Sequence, residues 1–293
     1  MRNYIDSFLA YMKIEKMASP STIYGYNREL EKFFDFLSSE NISDLNLIST
    51  RTVRKYLYQS KENRGLCQSS VSKIIATIKS FFNYLEEEDS IVKNPTRKIK
   101  VPKKKNKIPT VMSKYEVDLI IRSVDFAPYR CRKNNTRDKL VLSLLYYTGI
   151  RRSELLNLDW TDINLSMSTV TIRFGKGGKD RLIPLHKKVT RLLDKYLDER
   201  LPLKTNALII GEQGRRMCMC SFRNLLDMYL SLSGLKEKGY SAQSFQHSFA
   251  THLVEAGAGL FKVQGLMGRA SLDARKIYIN FNSSQIAKAV DRL

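Results

Sequence analysis

Three residues in the second half of the chain have side chains suited to chemistry on a phosphodiester. They are Arg151, just after Gly149, Lys176, inside the glycine-rich stretch Gly175-Lys-Gly-Gly-Lys179, and Tyr278, near the C-terminus. An arginine binds phosphate oxygens bidentately, and a lysine with a tuned pKa can give a proton to a departing alkoxide. A tyrosine hydroxyl can attack phosphorus and hold it covalently. Each type alone says little. Arg151 equally suits a cap on helix carbonyls, Lys176 a solvated turn, and Tyr278 a packed aromatic.

Charge points to the same kind of partner. The 293 residues carry 50 Lys plus Arg against 29 Asp plus Glu, a formal net charge of +21, and the sequence pI is about 9.8. Such an excess favours a polyanion, either nucleic acid or an anionic membrane surface. No run approaches the ~18 apolar residues of a bilayer span, since even Leu140 to Ile150 is short and bounded by charges. The first residues hold Asp6 and Glu15 in an amphipathic pattern, unlike a signal peptide, so a cytoplasmic protein is expected. A hydrophobic content of 43% supports one or two folded domains and excludes wholesale disorder. Cys67, Cys131, Cys218 and Cys220 match neither a zinc knuckle nor a redox pair, and read as reduced packing residues.

The elements that must position the three residues follow from periodicity. Residues 1–92 read as a helical bundle. Ile5, Phe8, Leu9 and Met12 trace one helix, and Ser19-Pro20 opens a second through Leu37. A third covers Thr50 to Gln59, and a fourth runs from cap candidates Ser69 and Ser70 through Leu85. Residues 93–109 read as a basic linker: between Lys93 and Lys107 there are eight Lys or Arg, two prolines and no acid. Residues 110–293 form the second domain. Ser113-Lys-Tyr-Glu116 is a capping box, Gly149 closes an apolar helix from Arg137, and a short helix spans Ser153 to Leu158. Thr169 to Phe174 and Asp180 to Leu185 alternate as a hairpin with lysines at its turn. Helices follow near 187–200, 220–233, 241–256 and 260–267, and a last one at 284–293 carries Ile286, Ala287, Val290 and Leu293 as an apolar stripe. The fold class is mainly α with a small β-hairpin or sheet, in two domains.

The strings Tyr147-Thr-Gly-Ile-Arg151-Arg-Ser-Glu-Leu155, Gly175 to Pro184, Phe249-Ala-Thr-His-Leu253, Gly265 to Leu272 and Ile277-Tyr278 together resemble the tyrosine recombinase and integrase family, Xer-type especially. The resemblance covers the second domain in order, and the helical first domain suits the family's SAM-like core-binding domain. It implies DNA cleavage without metal or ATP, through a 3′-phosphotyrosyl link formed by a tyrosine under two arginines, a lysine and two histidines. On this chain Arg151, Lys176 and Tyr278 match three of those positions. The other three depart: Gln243 and Gln246 stand where the family has His-x-x-Arg, and Arg269 follows Gly268 where the family has Gly-His.

Losing one preorganised donor costs roughly 10² to 10³ in rate, and losing a general acid or base about 10² to 10⁴. The leading expectation is therefore a sequence-specific DNA-binding protein with an impaired centre, acting as a repressor-like regulator in a prophage or other mobile element. The alternative is an active or slow site-specific recombinase in which Arg269 supplies part of the missing charge. A nonspecific basic nucleic-acid binder is the third reading. The expected partner is double-stranded DNA, held by a clamp of the two domains. Phosphate contacts are expected from Lys73 and Lys79 on the fourth helix, from Lys100, Lys103, Lys104 and Lys105 in the linker, and from Lys179, Arg215, Arg216 and Arg223. His252 and Trp160 are expected in the core, the latter between the Arg151 helix and the hairpin. The resemblance also implies self-association through the terminal helix.

Overall fold

The structure is a computed structural model, and it describes residues 2–102, 109–128, 134–173 and 180–268. The linker lysines 103–105, Lys176, Lys179, Arg269, Tyr278 and the expected helix at 284–293 lie outside the described residues. The chain divides into two compact units, Met1–Asn106 and Lys107–Leu293.

Four helices build the first unit: α1 (Arg2–Ile14), α2 (Pro20–Ser39), α3 (Thr50–Asn63) and α4 (Gln68–Glu87). Ser19 accepts the Thr22 N–H, with Pro20 in the first turn, where its missing donor costs nothing. Ser49 and Thr52 cap α3 reciprocally. Burial every three or four residues brings Phe8, Phe33, Phe81 and Phe82 into one core, with Phe8 and Phe81 edge to face at 5.5 Å. Two expectations need correction. Helix α3 continues to Asn63, and the cap of α4 is Cys67 rather than Ser69 or Ser70, whose hydroxyls instead lie 3.1 and 3.3 Å from the Cys67 sulfur.

The start of the basic linker is not free chain. Asn94, Thr96 and Ile99 are buried within the first unit, Thr50 Oγ1 donates to the Pro95 carbonyl, and Asn94 donates to Asn83 and Glu86. These anchors lack any period, so only the charge was visible in sequence. The packing part of the cysteine reading also fails for Cys67, Cys218 and Cys220, which are free but exposed, while Cys131 lies outside the described residues. Cys67 and Cys218 occupy N-cap positions of helices, where the chain is still at the surface.

The second unit holds α5 (Lys114–Arg122), α6 (Asn135–Thr148), α7 (Arg152–Asn157), β1 (Ile163–Asn164), β2 (Thr169–Ile172), β3 (Arg181–Pro184), α8 (Lys187–Arg200), α9 (Met219–Leu232), α10 (Ala242–Glu255) and α11 (Leu260–Met267). The sheet is antiparallel in order β1-β2-β3, with Val170 opposite Ile183 and Ile172 opposite Arg181. Strand β1, only two residues long, had no signal in the sequence. Helix α6 is central: Leu140, Val141, Leu142, Leu144 and Leu145 are all fully buried. Its buried Asp138 accepts hydrogen bonds from Arg137 Nε and the Tyr229 hydroxyl, both at 2.7 Å, which offset the cost of burying its charge. Among the described residues no helix is long and apolar enough to cross a membrane.

Candidate active site

The site begins where α6 ends. Gly149 closes the helix at φ +60°, and a Cβ there would sit 2.3 Å from the Phe249 ring of α10, so glycine is required on both counts. The chain then extends into Arg151, the N-cap of α7. Glu154, three residues on, accepts the Arg151 backbone N–H at 2.9 Å and its Nη1 at 2.8 Å. Arg181, the first residue of β3, grips the same carboxylate from the other side, Nη1 to Oε1 at 3.0 Å and Nη2 to Oε2 at 2.6 Å.

The three side chains differ in access. Those of Glu154 and Arg181 are each 9% exposed, whereas that of Arg151 keeps 22%. Arg151 is thus held by Glu154 while part of its side chain stays accessible, as an anion ligand must be. Burial alone would raise the Glu154 pKa; the Arg181 and Arg151 hydrogen bonds and charges outweigh it and hold the carboxyl below its ordinary range. The same arginines grip the end of α11: Arg181 Nε donates to the Leu266 carbonyl at 2.8 Å and Arg151 Nη2 to the Gly268 carbonyl at 3.1 Å. Gly268 is the last described residue before Arg269 and the segment bearing Tyr278.

Helix α10 supplies the opposite side. Gln246 is half-buried and its Nε2 donates to the Gly149 carbonyl at 2.9 Å, while Gln243 is exposed. The structure therefore brings Gln246 and Arg151 to the two flanks of one turn. His247 is half-buried, and burial lowers its pKa. His252, expected in the core, is half-buried with its Nδ1 2.9 Å from the Tyr146 hydroxyl. Trp160 is also only half-buried, and it stacks on Tyr196 of α8 with ring centroids 6.0 Å apart.

The remaining basic candidates separate by their partners. Lys73, Lys100, Arg215 and Arg223 are exposed. Lys79 donates to the Thr96 and Ile99 carbonyls at 3.2 and 3.0 Å, binding the 94–99 strap to α4. Arg216 donates to the Leu156 and Leu158 carbonyls and pairs with Asp159 at 2.5 Å. Sequence reasoning gave no role to Glu154 or Arg181. The Arg151-to-Glu154 spacing of a capping box was the one available signal; Arg181, 27 residues from Glu154, offered none.

A helical first unit and a small antiparallel sheet set in a helical second unit match the fold of solved tyrosine recombinases. Residues 110–285 match the phage integrase family and residues 5–89 its N-terminal SAM-like domain, and the chain belongs to this family. It is 34% identical to a protein named tyrosine recombinase XerD from Staphylococcus epidermidis, over 98% of this chain and 97% of the relative. It is 33% identical to one named tyrosine recombinase XerC from Oceanobacillus iheyensis, over 98% and 94%. Among solved structures, the post-cleavage complex of the XerH site-specific recombinase with palindromic difH substrate shares the fold, at TM-score 0.74 and 24% identity over 98% of this chain and 84% of that one. A lambda integrase dimer bound to a core site follows at TM-score 0.69 and 18% identity, over 92% and 95%.

Proposed function

We propose that this protein is a Xer-like site-specific recombinase that breaks and rejoins double-stranded DNA through Tyr278. The observation that carries the reading is Arg151, held by Glu154 with 22% of its side chain still exposed, at the position of the family's first arginine. In the proposed step the Tyr278 oxygen forms a bond to the scissile phosphorus and its proton leaves to water. The bond to the 5′ oxygen breaks, Lys176 protonates that oxygen, and Arg151 holds the non-bridging oxygens. A second strand's hydroxyl reverses the step. Gln243 and Gln246 cannot supply a base or a positive charge, so the reaction is slow, with Arg269 contributing what charge it can.

A second reading, a repressor-like DNA-binding regulator, is favoured by one observation: the Gln246 amide is engaged with the Gly149 carbonyl, where the family has a charged donor. In either case the exposed Lys73, Lys100, Arg215 and Arg223, with Lys103, Lys104, Lys105 and Lys179, are proposed phosphate contacts, and the 284–293 helix a protomer contact. The test is to recover the DNA bound by the protein from its source genome and compare the detergent-resistant fraction between wild type and Tyr278→Phe. A resistant link lost in the variant is the expected result. Discrete sites without any resistant link would overturn cleavage and leave the regulator, and binding without discrete sites would leave a nonspecific binder.

A further inference from the structure

We infer that Arg181 is a positioning residue that sets Arg151 and the end of α11 in register with each other. The inference rests on the proposed cleavage chemistry for its consequence, but on hydrogen-bond geometry for its mechanism.

One guanidinium touches two chain segments, the start of α7 and the end of α11. Its two Nη atoms hold both oxygens of Glu154, whose other hydrogen bonds orient the backbone and side chain of Arg151. Its Nε holds the Leu266 carbonyl at the end of α11, two residues before Gly268. Its own backbone pairs with Ile172 in the sheet. Movement of any one segment is thus transmitted to the others through a side chain only 9% exposed. The packing is close: a Cβ on Gly268 would lie 3.2 Å from Arg181 Nη1 and 3.4 Å from Arg151 Nη1.

A lysine cannot reproduce this. It keeps the charge but has a single nitrogen at the end of a flexible stem, where the planar fork reaches a carboxylate and a carbonyl in different directions. Small displacements matter here, because a misplacement of about 1 Å at a reacting centre can cost about 10²-fold in rate.

The test compares full-length wild type, Arg181→Lys and Glu154→Gln in two measurements. The first is amide hydrogen exchange of peptides covering 148–156 and 260–268. The second is the rate of Tyr278 adduct formation at saturating DNA, set beside DNA affinity, using a nicked duplex carrying the recovered site. For Arg181→Lys, exchange in both peptides is expected to rise at least tenfold and the adduct rate to fall at least tenfold, with affinity within threefold of wild type. A merely structural role would move affinity and adduct rate together, and that result overturns the inference, as does unchanged exchange. Should Arg181→Lys fail to fold, Glu154→Gln decides: with the Leu266 contact intact, it is expected to loosen 148–156 more than 260–268, and equal loosening refutes the register role. A wild type that forms no adduct refutes the cleavage reading alone, and the register role of Arg181 then stands or falls on exchange.

Discussion

Arg151 and Gln246 flank the same glycine turn, yet they are held in opposite ways. On the α7 side Glu154 accepts four hydrogen bonds from two arginines, and the cluster is largely buried. On the α10 side a neutral amide makes one hydrogen bond to the Gly149 carbonyl. Removing both arginines from the first side would strand a largely buried carboxylate, a costly change. Exchanging a charged donor for an amide on the second side leaves nothing buried and unpaired. Positive charge stands where the fold leans on it, and a neutral amide where it does not.

Four changes break or sharpen this contrast. The largest effect is expected for Arg151→Ala: a fall of roughly 10² to 10³ in adduct rate at saturating DNA, with the fold retained because Arg181 still pairs with Glu154. An unchanged rate would remove Arg151 from the reaction. Gly149→Ala attacks the turn shared by both sides, combining left-handed backbone with a clash against Phe249. A loss of about 2–5 kcal/mol in urea unfolding is expected. Gln246 separates fold from chemistry. Gln246→Ala should cost about 1 kcal/mol, read as a lower thermal midpoint, whereas Gln246→Arg should raise the adduct rate at least tenfold. No gain from arginine would mean that α10 no longer faces the phosphate.

The smallest effect is a pH dependence. Because the folded-state pKa of Glu154 is depressed, its contribution to stability is present above the ordinary carboxylate range and is lost as pH falls through the folded value. Glu154→Gln should therefore flatten the acid limb of the stability curve. Gln246→Ala should shift the whole curve without changing its shape, since an amide does not titrate. If both variants gave parallel curves, the charged side would not be contributing through its ionisation.

How far the sequence foretold these arrangements depends on the range of the signal. Helices α2, α4 and α8 were legible because apolar residues repeat at the helical spacing, and the caps Ser19 and Ser113 because a hydroxyl meets N–H groups only a few residues away. Gly149 was legible as a helix end, but not as the contact with Phe249, one hundred residues on. In sequence Lys73, Lys79 and Arg216 all read as phosphate contacts; Lys73 is exposed, whereas Lys79 and Arg216 bind backbone carbonyls distant in sequence, as does Arg181, for which the sequence offers no role. The strap at 94–99 was hidden for a similar reason: its anchors are side-chain amides and a lone isoleucine, without period.

The Arg151–Glu154–Arg181 cluster has two positive charges and one negative, so it holds an excess of one positive charge in a partly dehydrated place. In thermodynamic terms the folded protein is an unfinished ion cluster, completed by whichever anion arrives at Arg151. Ligand and fold are then linked by mass action: a phosphate that binds only the folded state raises its stability with every increase in concentration. The backbone of DNA would in this sense finish the folding of the protein that holds it.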